Sequence, residues 1–136
     1  KSPAGASPSS RPLIIAVTQL TSTGQDMLNE ELGIPGTIEE CVRKYAISAQ
    51  QAGLDGVVSS AREAAIIKQA CGETFVTVTP GIRPAWSAKG DQHRVIAPKQ
   101  ALQQGSDFLV IGRPVTQAES PVLAFTRIIE ELSEHE

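Results

Sequence analysis

The sequence predicts an α/β fold, half of a (β/α)8 barrel built from four parallel βα units. Three observations carry that reading. Four short apolar runs alternate with stretches that repeat apolar residues every three or four positions, the pattern of parallel strands joined by helical crossovers. The stretch Gly53-Leu54-Asp55-Gly56-Val57-Val58 matches Gly105-Ser106-Asp107-Phe108-Leu109-Val110. This weak internal repeat places Gly at a helix end and Asp just before a strand, as stacked equivalent units would. Finally, the 136 residues are about half of the roughly 250 that a closed barrel needs. An open doubly wound sheet would carry a Gly-rich phosphate loop after its first strand. Here Thr18-Gln19-Leu20-Thr21-Ser22 follows, with no G-x-G-x-x-G. Half a barrel would leave two long apolar sheet edges, so a partner half is physically needed.

Residues 1–12, rich in Ser and Pro, read as a loop or linker. Residues 13–18 (LIIAVT) form a continuous apolar, β-branched run, suited to a strand buried on both faces. A short helix is expected over residues 26–32, stopped by Gly33. Thr37 and Glu40 have the spacing of a capping box. The helix they open carries Ile38, Val42, Tyr45, Ala46 and Ala49 on one stripe and stops at Gly53. Residues 55–59 are the second strand. Ser60 then caps a helix with Glu63 at its third position, ended by Gly72. Residues 75–79 (FVTVT) are the third strand, closed by Pro80-Gly81, and a long polar loop runs to about Ala97. Pro98 opens a helix through Gln104, residues 108–111 (FLVI) are the fourth strand, and Gly112-Arg113-Pro114 closes it. Pro121 opens the last helix, through about Leu132.

Composition excludes several classes. With 40% hydrophobic residues and a net charge of −3, the chain can build a core and is not disordered by composition. Its longest apolar run, Leu13 to Val17, is far below the roughly 18 residues of a membrane-spanning helix. No basic block marks a nucleic-acid or membrane surface. Cys41 and Cys71 have neither a disulfide framework nor metal-ligand spacing. They read as reduced, buried thiols in a cytoplasmic protein. No signal peptide is visible, and the absence of Met at position 1 suggests a start other than that of translation.

In parallel α/β folds, ligands bind at the carboxyl ends of the strands. Those ends are residues 18–23, 59–62, 79–83 and 112–113. Gly112 lets a backbone N–H approach an anion and Arg113 offers a planar fork for phosphate. Residues 85–95 form a loop long enough to be functional. Arg83 and Gln92 are candidate ligand donors from its two ends, and Trp86 either covers the site or anchors the loop. Thr21 and Ser22 can hydrogen-bond a neutral polar group, or simply cap a helix. His93 and His135 are not placed as a catalytic pair. Asp55 and Asp107 lie at the amino ends of strands, where barrels put stability rather than chemistry. The residues alone thus describe a phosphate-binding half-site without a proton donor.

The segments at residues 13–22 (LIIAVTQLTS), 53–64 (GLDGVVSSAREA), 78–84 (VTPGIRP), 91–95 (DQHRV) and 108–116 (FLVIGRPVT) together resemble orotidine 5′-phosphate decarboxylase of the bacterial type. The resemblance implies a TIM barrel that converts orotidine monophosphate (OMP) to UMP and CO2 in pyrimidine biosynthesis, with no cofactor and no metal. It implies that residues 13–136 are the C-terminal half of that barrel, strands five to eight. By the same resemblance Gly112 and Arg113 grip the phosphate, Gln92 reaches the phosphate side from the closing loop, Arg83 binds ligand, and Thr21 contacts the pyrimidine region. The family's catalytic Lys and Asp-x-Lys-x-x-Asp segment come from the first half, with one Asp reaching in from the other subunit of a homodimer. No D-x-K-x-x-D occurs here. The isolated chain is therefore expected to be inactive, either a cleaved fragment or a part of the enzyme that works with its missing N-terminal half. Two other readings stand beside this one. One is a non-catalytic half-barrel that serves as a binding or assembly module. The other is a related sugar-phosphate decarboxylase of the same superfamily.

Overall fold

A computed structural model describes residues 11–19, 24–87 and 96–133. Four parallel strands form one sheet in the order β1 (Ile15–Val17), β2 (Gly56–Val58), β3 (Val76–Thr79) and β4 (Phe108–Leu109). Sequential order with parallel pairing is what successive βα crossovers build. The connecting helices are α1 (Ile38–Gln51), α2 (Ala61–Cys71) and α3 (Pro98–Gln103). A short helix α4 (Arg113–Thr116) and the longer α5 (Pro121–Ser133) follow β4.

Local chemistry explains the boundaries. The Thr37 hydroxyl accepts from the Glu40 N–H at 3.1 Å, and the Glu40 carboxylate accepts from the Thr37 N–H at 3.0 Å. The expected capping box is complete. At α2 the expected pair meets differently: the Ser60 hydroxyl donates to the Glu63 carboxylate, and no cap bond to backbone forms. Glu63 is consequently buried. The expected helix over 26–32 is a single π-helical turn, Met27–Glu31, pinned by Leu28 in the core.

Two corrections concern the strands. They are shorter than the apolar runs, so the sheet edges are short rather than long. β4 stops early: its last ladder bond runs from the Val110 N–H to the Thr79 carbonyl, and the next carbonyl on that edge of β3, that of Gly81, accepts from the Ile96 N–H instead. The second correction is at 112–114. Arg113 begins a helical turn, with the Gly112 carbonyl accepting from Val115 and Thr116. A third adjustment is to the α1 stripe: Tyr45 is exposed and Cys41 takes its place in the core.

Among the described residues, the helices cover one face of the sheet. Val57 packs with Val42, Ala46 and Ile67 beneath α1 and α2. Leu109 and Ile111 pack with Ala61, Ile82 and Ala101. Strand side chains alternate between faces, so the other face carries the aligned row Val17, Val58, Val78 and Phe108. Val17 and Phe108 at its two ends are 57% and 56% exposed. A parallel sheet is normally buried on both faces. Both cysteines are free and buried, as expected.

Candidate functional site

The two ends of the strands do different things. At the amino ends, the Gly-x-Asp repeat builds the same clamp twice. The Asp55 N–H donates to the Ile14 carbonyl and its carboxylate accepts from the Ile14 N–H. The Asp107 N–H donates to the Thr77 carbonyl, and its carboxylate accepts from the Thr77 N–H. Each aspartate thereby grips the strand before it. Gly53 and Gly105, both at positive φ, turn the chain from helix end to clamp without a Cβ clash. A cation completes each: Arg11 is bidentate on Asp55 at 2.6 and 3.0 Å, and Lys68 meets Asp107 at 2.6 Å. The expected structural role of both aspartates is what the geometry shows.

At the carboxyl ends, Arg83 follows β3 and Gly112–Arg113 follows β4, so neighbouring strands bring them together. Arg83 is fixed through its backbone. Its N–H donates to the Ile96 carbonyl, and the Ile96 N–H donates to the Gly81 carbonyl. This parallel bridge holds both roots of the long loop beside β3. A cavity of about 220 Å³ opens there, lined by Pro80, Arg83, Gly112 and Arg113 among others. An ideal Cβ on Gly112 would meet no atom within 4 Å. Packing does not demand a glycine at this position, whereas close approach by a ligand would. Beyond Arg83 and Arg113 lies a larger cavity of about 500 Å³ that reaches α5. Trp86 borders it with the Arg127 guanidinium stacked 4.3 Å from its ring centroid. Sequence reasoning missed Arg127, because no local pattern ties it to Trp86.

Of the five candidate residues, the structure brings Arg83, Gly112 and Arg113 to one end of the sheet. Thr21 and Gln92 lie outside the described residues, as do Ser22, His93 and His135. Among the described residues no group of three or more His, Cys, Asp or Glu side chains is placed to hold a metal ion. No helix of the described residues is long and apolar enough to cross a membrane. The described tips of β3 and β4 bring together Arg83, Gly112 and Arg113, a set that suits anion binding.

Known proteins resemble this chain over most of its length. Residues 3–128 match the model of the orotidine 5′-phosphate decarboxylase / HUMPS family. The orotidine 5′-phosphate decarboxylase of Syntrophomonas wolfei is 55% identical over 124 residues, covering 90% of this chain and 52% of that protein. The enzyme of the same name from Geobacillus sp. (strain WCH70) is 54% identical over 121 residues, covering 89% of this chain and 51% of that protein. The crystal structure of orotidine 5′-phosphate decarboxylase from Lactobacillus acidophilus superposes with a TM-score of 0.72 at 37% identity, over 96% of this chain and 52% of that one. The chain thus spans about half the length of the curated relatives it matches.

Proposed function

From the premise that the chain belongs to the orotidine 5′-phosphate decarboxylase / HUMPS family, we propose that it is the phosphate-gripping half of an orotidine 5′-phosphate decarboxylase. It would be the C-terminal half, residues 13–136, holding the nucleotide while a missing N-terminal half supplies the chemistry. The observation that carries this reading is the convergence of Arg83 and Gly112–Arg113 at the carboxyl ends of adjacent parallel strands. In the complete enzyme the C6–carboxylate bond breaks, CO2 leaves, and the electron pair left at C6 takes a proton from a lysine of the other half. This chain's part is to bind and orient. Arg113 and the Gly112 turn hold the phosphate dianion, Arg83 and Gln92 add donors around the ligand, and Thr21 meets the pyrimidine end. Binding energy spent on the remote phosphate fixes the base against the reacting groups. The assembled enzyme is a cytoplasmic homodimer in this reading and needs neither metal nor cofactor.

The test is complementation. Co-refolding this chain with an N-terminal half that carries the Lys and Asp-x-Lys-x-x-Asp array restores release of CO2 from OMP. No turnover from well-folded, co-purifying halves would overturn the proposal. Within the restored enzyme, Arg113→Ala weakens UMP binding by about 1.5–3 kcal/mol, the worth of a charged hydrogen bond. Uridine, lacking the phosphate, binds the variant and the parent alike. An equal loss for both ligands would remove the grip role from Arg113.

A further inference from the structure

We propose that the 500 Å³ cavity beyond the strand tips is a second anion subsite, built on Arg127 and Trp86, that takes the distal phosphoryl group of a diphosphate. The cavity lies between the segment after β3, the α4–α5 turn and the first turns of α5. Its charged lining is Arg83, Arg113 and Arg127 against one carboxylate, Glu119. The balance is positive in a chain whose net charge is −3. Its volume falls in the range of small-molecule sites, roughly 300–1,000 Å³, whereas the inner cavity of about 220 Å³ falls below it. Arg127 is held in place, since its guanidinium stacks on the Trp86 ring at 4.3 Å. A guanidinium held over an aromatic ring still has N–H donors to offer an anion. The amino end of the 13-residue α5 borders the same cavity through Ser120 and Leu123, and its dipole favours negative charge.

Arg83 and Arg113 line both cavities. A diphosphate can therefore set one phosphoryl group at the Gly112–Arg113 turn and the next toward Arg127. Placement of the first group rests on the proposed phosphate grip. The role of Arg127 does not, because Arg127 and Trp86 border only the outer cavity.

The experiment is calorimetric titration of the full chain with pyrophosphate and with orthophosphate at matched ionic strength, alongside Arg127→Gln, Arg127→Lys and Arg113→Ala. Pyrophosphate binds the parent at least about tenfold more tightly than orthophosphate, the factor one charge-assisted hydrogen bond supplies. Arg127→Gln erases that preference and leaves orthophosphate binding unchanged. Should the Gln variant melt at a lower temperature than the parent, Arg127→Lys decides, since it keeps the charge and loses the planar fork and so loses most of the preference. No preference in the parent, or a preference that survives both substitutions, overturns the proposal. So does an equal weakening of both probes by Arg127→Gln. Pyrophosphate binding that needs Arg127, with orthophosphate binding indifferent to Arg113→Ala, would instead sink the phosphate grip and leave the outer subsite standing.

Discussion

Lys68 spends all three of its ammonium donors inside the protein, on the carbonyls of Glu73 and Phe75 at 2.9 and 2.8 Å and on Asp107 at 2.6 Å. Partial burial resists ionisation of Asp107, but the Lys68 bond and the Thr77 N–H outweigh it, and the carboxyl stays below its ordinary pKa. A carboxyl pKa depressed on folding contributes stability above the unfolded value, about 3.9, and loses it as pH falls through the folded value. The melting temperature of the parent should therefore drop below about pH 4 more steeply than that of Asp107→Asn, and parallel curves would contradict the clamp. Lys68→Met removes one donor from each of three acceptors, the buried Phe75 carbonyl and the part-buried Glu73 carbonyl and Asp107 carboxylate. We expect a cost of about 1.5–3 kcal/mol in denaturant titrations. The larger cost of a fully buried pair does not apply, because the Asp107 side chain is 38% exposed. At the other end of the strands, Gly112→Ala meets open space. Its melting temperature should equal the parent's while UMP binding to the complemented enzyme weakens. A fall in melting temperature instead would make Gly112 a folding residue.

Helices and strand order were legible in the sequence because both rest on local periodicity. The Thr37–Glu40 cap and the stops at Gly53, Gly72 and Gly105 stand where the residues put them. What was not legible depends on tertiary partners. Val110 and Ile111 extend the apolar run of β4, but pairing ends past Thr79, where the Gly81 carbonyl takes the Ile96 N–H. Glu63 has the spacing of a cap, yet the Ser60 hydroxyl takes it into the interior. The Arg83–Arg113 convergence could be anticipated because parallel topology fixes which strand ends are neighbours. The Trp86–Arg127 stack could not, since it depends on how α5 lies across the sheet. Sheet spacing yields its own test at Gly56. A Cβ there would sit 2.2 Å from the Val76 carbonyl oxygen, a contact that only separation of β2 and β3 relieves. Gly56→Ala should cost at least the roughly 1–3 kcal/mol typical of overpacking, and a neutral result would mean that the two strands have room to part.

Taken whole, the chain is a sheet dressed on one side. The row Val17, Val58, Val78 and Phe108 crosses all four strands on the face that no helix of the described residues covers. Apolar cleft space also remains between β4 and α5, lined by Phe108, Phe125 and Ile129. These surfaces are where we expect the other half to pack. Val17 is 57% exposed, so Val17→Lys should leave the stability of this chain within about 0.5 kcal/mol while abolishing restored decarboxylation. Full complementation by the Lys variant would show that the row is not the seam. The clamps at one rim and the arginines at the opposite rim have a practical consequence. If the proposed grip holds, ligand preference and thermal endurance are written in separate loops, so a designer can redraft the arginine rim for a new anion without reopening the question of whether the scaffold survives.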